Sequence, residues 1–111
     1  VDRPASLVKA GRGLLEKVEV VLISRGAKGA VVVTRDGAWQ GRCVGKRKVL
    51  STLGCGDYML AGFIKGYKDS SDAVAALETA IKAGTARAWG WAESMSWEQV
   101  EREIVVESSV I

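Results

Sequence analysis

The chain has 111 residues, 48% of them hydrophobic, which suits one compact domain and leaves no room for two. Sixteen Lys and Arg against thirteen Asp and Glu give a net charge of +3, too small and too dispersed to demand a polyanionic partner. Apolar runs such as residues 20–23 and 30–33 are far shorter than the roughly 20 residues that cross a bilayer, which excludes a membrane-spanning helix.

Leu7, Val8, Leu14 and Leu15 recur at helical spacing and predict an opening helix that ends before Lys17. The β-branched residues of 18–24 predict a buried strand. Arg25-Gly26-Ala27-Lys28-Gly29 interrupts with two glycines, and residues 30–34 predict a second short strand. Asp36-Gly37 is a hairpin signal in which glycine supplies a positive φ, and residues 38–43 form the returning strand. Residues 46–50 read as one more strand, entering the loop 51–57. The period then changes. Met59, Leu60, Phe63, Ile64 and Tyr67 share one face of a helix predicted over 57–67. Ser70-Ser71-Asp72 caps a second helix, about residues 72–91. Its small residues Ala76, Ala80, Ala83, Gly84 and Ala88 permit close approach of another helix. Ser96-Trp97-Glu98-Gln99 matches a capping box ahead of a short last helix, and residues 104–106 read as a closing strand. The order implies an α/β domain, a mixed sheet with one β-hairpin and packed helices.

Histidine is absent, and the two cysteines, Cys43 and Cys55, form no Cys-x-x-Cys pair. Structural zinc and Ser-His or Cys-His nucleophiles are thereby excluded, leaving acid or base chemistry to carboxylates, Lys or Tyr. The opening Val1-Asp2-Arg3-Pro4 has no basic stretch or apolar core of a secretory signal, so the expected setting is reducing and cytoplasmic. Chemistry concentrates at Gly54-Cys55-Gly56-Asp57, where a turn opens an apolar-faced helix. Glycines at 54 and 56 let successive N–H groups point into one concavity, toward which the helix dipole also aims. Asp57 beside it could take a proton from a hydroxyl attacking a bound phosphoryl group. By pattern alone, an ordinary turn with Asp57 as cap fits equally well.

The wider segment 51–63, Ser-Thr-Leu-Gly-Cys-Gly-Asp-Tyr-Met-Leu-Ala-Gly-Phe, resembles the C-terminal signature of the PfkB (ribokinase-like) carbohydrate kinases. That signature runs Asp/Ser/Asn-Thr-x-Gly-Ala-Gly-Asp into a helix with Ala/Gly-Gly-Phe. Residues 20–29, ending Ser24-Arg25-Gly26-Ala27-Lys28-Gly29, are similar to the family's strand and Leu-Gly-x-x-Gly nucleotide turn. The Ser-Thr opening and Met59 are most similar to the branch of 1-phosphofructokinase and tagatose-6-phosphate kinase. The likeness extends over residues 18–106, with Trp39 in the hairpin strand and the Ala-rich helix matching the one beside adenine.

The resemblance implies the C-terminal portion of a ribokinase-like fold and ATP-dependent phosphoryl transfer to a hydroxyl of a sugar or sugar phosphate. It makes Asp57 the catalytic base and Gly54, Cys55 and Gly56 the anion hole. Ser24, Arg25, Gly26, Ala27, Lys28 and Gly29 would lie along ATP, together with Gly56 and Asp57. Mg²⁺ would travel with the nucleotide, and some members use a monovalent cation near this loop. Two residues depart from the pattern: Cys55 stands for the usual Ala, and Arg25 for an apolar Leu. The family's N-terminal portion, with the sugar contacts, lies outside these residues, so this chain is expected to be the nucleotide-side third of a kinase. Alone it should lack turnover, expose apolar surface and be prone to homo-oligomerisation. The rival reading is a nucleic-acid-binding module using Arg42, Lys46, Arg47 and Lys48 with Trp89, Trp91 and Trp97. A solvated strand edge and core tryptophans account for the same residues, so no nucleic-acid partner is assigned.

Overall fold

The computed structural model describes residues 3–15, 17–45 and 47–111. Pro4, whose missing N–H costs nothing in a first turn, opens α1 (Pro4–Leu14). Strand β1 (Val20–Ser24) leads through a short 3₁₀ turn at Gly26–Lys28 to β2 (Ala30–Thr34). Strand β3 (Gly37–Cys43) follows, then α2 (Cys55–Ser70), α3 (Ala73–Ala88), α4 (Trp97–Glu103) and β4 (Val106–Val110).

The four strands lie in the order β1-β2-β3-β4. Every pairing among them is antiparallel, with Val32 opposite both Leu22 and Trp39, and Gly41 opposite Ser108. The α/β class holds, while the sheet is narrower in kind than the mixed one expected. Two-residue and five-residue connections can only fold neighbouring strands back on each other. Ala30, Val31, Val32 and Val33 are fully buried because β2 is covered on both faces. Val31 and Val33 join Val21 and Ala38 under α1, whereas Ala30 and Val32 face Leu77, Ala80 and Ile81 of α3. Helix α2 lies against α3.

That helix pair explains the small residues. A Cβ at Gly62 would stand 2.8 Å from the Ala83 Cβ, and one at Gly66 would stand 2.9 Å from the Ala76 Cα. Backbones approach this closely only where neither side carries bulk. Asp72 caps α3 by accepting the Val74 N–H at 2.9 Å. Ser96 and Gln99 form the reciprocal capping box read from the sequence. Ser96→Ala removes one half of it and is expected to cost about 1 kcal/mol, measurable as a lower Tm in thermal unfolding.

Three expectations change. Lys46 lies outside the described residues, and residues 47–50 form no strand. Strand β3 is already paired on both edges, and Leu50 N–H instead donates to Ala88 O at 2.8 Å. The closing strand begins two residues late, since Ile104 ends α4 and is buried against Ala86 and Val100. Gly37 has the positive φ expected of it, +158°. The predicted apolar face of α2 divides: Met59, Phe63 and Tyr67 pack inward, while Leu60 and Ile64 stay 55% and 59% exposed. Exposed apolar surface is therefore present, as expected.

Candidate functional site

Gly54 carries the left-handed turn into α2, with φ +80° and ψ −1°. A side chain is strained there, which accounts for the first glycine of the pair. Gly56 has a different reason. Its φ is not positive, and a Cβ placed on it would meet nothing within 4 Å. Glycine inside a helix costs up to about 1 kcal/mol relative to alanine, so a bare backbone at 56 serves space in front of the helix rather than the fold. Gly56→Ala is accordingly expected to keep or slightly raise thermal stability, as scanning calorimetry would read.

Helix starts leave N–H groups without intrahelical partners. Here the Tyr58 N–H donates to Gly54 O at 3.0 Å and the Cys55 N–H to Thr52 O at 3.3 Å. Among the described residues the N–H groups of Gly54, Gly56 and Asp57 have no protein acceptor. Cys55, named with Gly54 and Gly56 for the anion hole, thus has its amide engaged within the loop. Its thiol donates to Ser51 O at 3.6 Å. Asp57 is exposed, stands in the first turn of α2, and makes no hydrogen bond or ion pair among the described residues. Its carboxylate stands open to solvent at the positive end of the α2 dipole.

The second glycine segment closes on itself. Arg25 N–H donates to Gly29 O at 2.8 Å, and Gly29 N–H to Gly26 O at 3.1 Å, around left-handed Gly26 and Gly29. A Cβ on Gly29 would overlap the Gly41 carbonyl oxygen. Ser24, Gly26, Ala27 and Lys28 are exposed and Arg25 is half-buried. Arg25, Ala27 and Lys28 line a cavity of about 520 Å³ with Gln40, Arg42 and Glu107. Gly41 faces Ile81 of α3, so Gln40 and Arg42, its neighbours in the alternating strand, stand on the α1 side of the sheet. Residues 54–57 do not line that cavity.

The two turns are linked through β3 and α3. Gly29 packs on the Gly41–Arg42 backbone, Cys43 lies beside Thr85, and Gly84 packs under Cys55 and Met59. Burial pushes the Cys43 thiol above its ordinary range, against an opposing hydrogen bond with Thr85. At neutral pH it therefore remains a thiol and serves packing.

Two described residues of the basic segment have partners of their own. Arg42 pairs with Glu107 at 2.6 Å, and the Arg47 guanidinium lies 4.8 Å from the Trp91 ring centre and 5.8 Å from that of Trp89. Trp89, Trp91 and Trp97 are half-buried around Ala86, Val100 and Ile104. Among the described residues no three His, Cys, Asp or Glu side chains cluster around one point, and no helix is long and apolar enough to cross a membrane. Two features escaped the sequence reading. Gly62 and Gly66, four residues apart, carry the helix seam, and Arg87 on α3 donates to Leu53 O at 3.0 Å.

A family model described as pfkB family carbohydrate kinase matches residues 2–88. The chain is 32% identical to a 1-phosphofructokinase of Borreliella burgdorferi over 88 residues, covering 78% of this chain and 29% of that protein. It is 34% identical to a nucleoside kinase of Methanocaldococcus jannaschii over 58 residues, 52% of this chain and 19% of that protein. In three dimensions the whole chain superposes on 36% of a Staphylococcus aureus protein assigned as a phosphofructokinase, with a TM-score of 0.85 and 28% identity. The chain thus spans about a third of the length of such proteins.

Proposed function

Since the chain belongs to the pfkB family of carbohydrate kinases, we propose that it supplies the nucleotide side of an ATP-dependent kinase acting on a sugar or sugar phosphate, similar to 1-phosphofructokinase. The observation that carries this reading is the first turn of α2. Unpartnered N–H groups at Gly54, Gly56 and Asp57, bare space in front of Gly56 and an unengaged carboxylate at Asp57 stand within four residues.

In this reading the N–H groups hold the migrating phosphoryl group, and the α2 dipole offsets charge that develops on its oxygens. Asp57 accepts the proton of the acceptor hydroxyl as that oxygen bonds to the γ-phosphorus and the bond to the β-phosphate oxygen breaks, releasing ADP. The turn 24–29 borders the nucleotide. Mg²⁺ would come with ATP as part of the substrate and would supply charge neutralisation. The acceptor's own contacts come from residues outside this chain, so the isolated chain binds nucleotide without turnover.

Two measurements test this. Adding Mg-ATP to the chain should give saturable NMR shifts at Gly26, Gly54 and Gly56, whereas a salt-sensitive response of Lys48 to oligonucleotide would favour the nucleic-acid reading instead. A complete enzyme containing this segment should release ADP in proportion to a fructose or tagatose phosphate. Turnover driven by nucleosides would move the assignment to that branch of the family, and no ATP-dependent transfer to either would overturn it. Gly56→Ala, tolerated by the fold, should then raise the KM for ATP by about tenfold or more, because its methyl occupies phosphate space.

A further inference from the structure

We propose that Arg87 is a positioning residue that fixes the direction of the Gly54 amide, an inference that rests on the kinase reading above. A single left-handed residue is a soft joint, since glycine has no Cβ to restrict it. Residues 47–54 have no strand pairing to stiffen them. The loop is tied to α3 at two places among the described residues. Leu50 and Ser51 N–H donate to Ala88 O at 2.8 and 3.4 Å, well before the joint. Arg87 Nε–H donates to Leu53 O at 3.0 Å, immediately before it.

The second tie acts on the turn's chemistry through one planar unit. Leu53 C=O and Gly54 N–H belong to the same peptide group, and the chain has no cis peptide among the described residues. In a trans peptide the two bonds point in opposite directions and cannot rotate independently. Anchoring Leu53 O on the guanidinium therefore aims Gly54 N–H away from Arg87, on the opposite side of the peptide plane's axis. Donation to the carbonyl also polarises the group and makes that N–H a better donor.

The side chain holds both sides of the joint. Its guanidinium carbon lies 5.7 Å from the ring centre of Tyr58, in the first turn of α2, and its Nε lies 3.5 Å from where a Gly54 Cβ would be. Only 26% of the side chain is exposed, and Nη1 stands 3.9 Å from the exposed Glu93. Loss of this hold leaves the helix intact but lets the peptide plane swing, which displaces an amide from the phosphoryl group.

Arg87→Met keeps the length and the apolar stem over Tyr58 and removes the donor. In the chain it should lower the NMR order parameter of the Gly54 N–H from a rigid value of about 0.85 to below about 0.6, while the β2 amides keep theirs. In a complete enzyme it should lower kcat by about 10–100-fold, with the KM for the acceptor unchanged. Arg87→Lys, which can still donate to Leu53 O, should recover part of both. An unchanged order parameter at Gly54 with kcat within about twofold of the parent would overturn the assignment. So would a general loss of order and Tm with no local excess at the turn, since that marks a merely structural contact. If the parent enzyme shows the rigid Gly54 amide yet transfers no phosphoryl group, the kinase reading fails while the hold of Arg87 on the turn stands.

Discussion

Asp57→Asn is expected to lower kcat by about 10²–10⁴-fold in a complete enzyme containing this segment, with the KM for ATP little altered. Asparagine matches aspartate in shape and keeps the first turn of α2, so the loss isolates proton acceptance from packing. The carboxylate is exposed and makes no hydrogen bond or ion pair with a described residue, so no internal ion pair is broken by the change. Its only structural duty is to complement the helix dipole, worth up to about 1 kcal/mol, and the variant should unfold only a few degrees earlier. Steady-state kinetics beside thermal unfolding checks both halves. Turnover equal to the parent's would remove Asp57 from the chemistry and leave it a cap.

Gly29→Ala is expected to be the most damaging single methyl in the described chain. Its φ of +93° is costly for any residue with a Cβ, by about 1–3 kcal/mol. The added carbon would also overlap Gly41 O and stand 2.9 Å from the Arg42 Cα. Both obstacles are backbone of the central hairpin, which cannot yield without breaking the pairing of Ala30 with Gly41. Together these should exceed about 3 kcal/mol, a Tm loss of about 10 °C or more. Gly26→Ala makes the control. It is also left-handed, at φ +58°, but a Cβ there meets nothing within 4 Å, so it should cost only about 1–2 kcal/mol. Equal losses for the two would show that backbone strain, not the approach to β3, dominates at Gly29.

Much of the architecture was legible because local signals agreed. The β-branched run of β2, the Ser96–Gln99 box and the Asp72 cap each name a conformation through near-neighbour chemistry. The glycine turns were legible for the same reason, as short segments with one sterically permitted role. What could not be read was tertiary. Val49 and Leu50 have strand-like composition, but the sheet edge they would need is taken by β4, a fact set by residues far along the chain. Leu60 and Phe63 look equivalent in periodicity, yet only one faces α3. Arg87 gave no signal at all, since an arginine in the last turn of an alanine-rich helix reads as dipole compensation.

The sheet register has a kinetic consequence. The β2–β3 hairpin and the α2–α3 pair each form from residues close in sequence, but Trp39 must find Val110 across the entire helical segment. Closing so long a loop is entropically slow, and its reward arrives only when β4 docks. Folding should therefore commit late, with the hairpin and helices assembling first and the last strand zipping on as the rate-limiting event. Mutations in β4 would then retard refolding, whereas those loosening the Gly62–Ala83 seam would act on both limbs of the chevron.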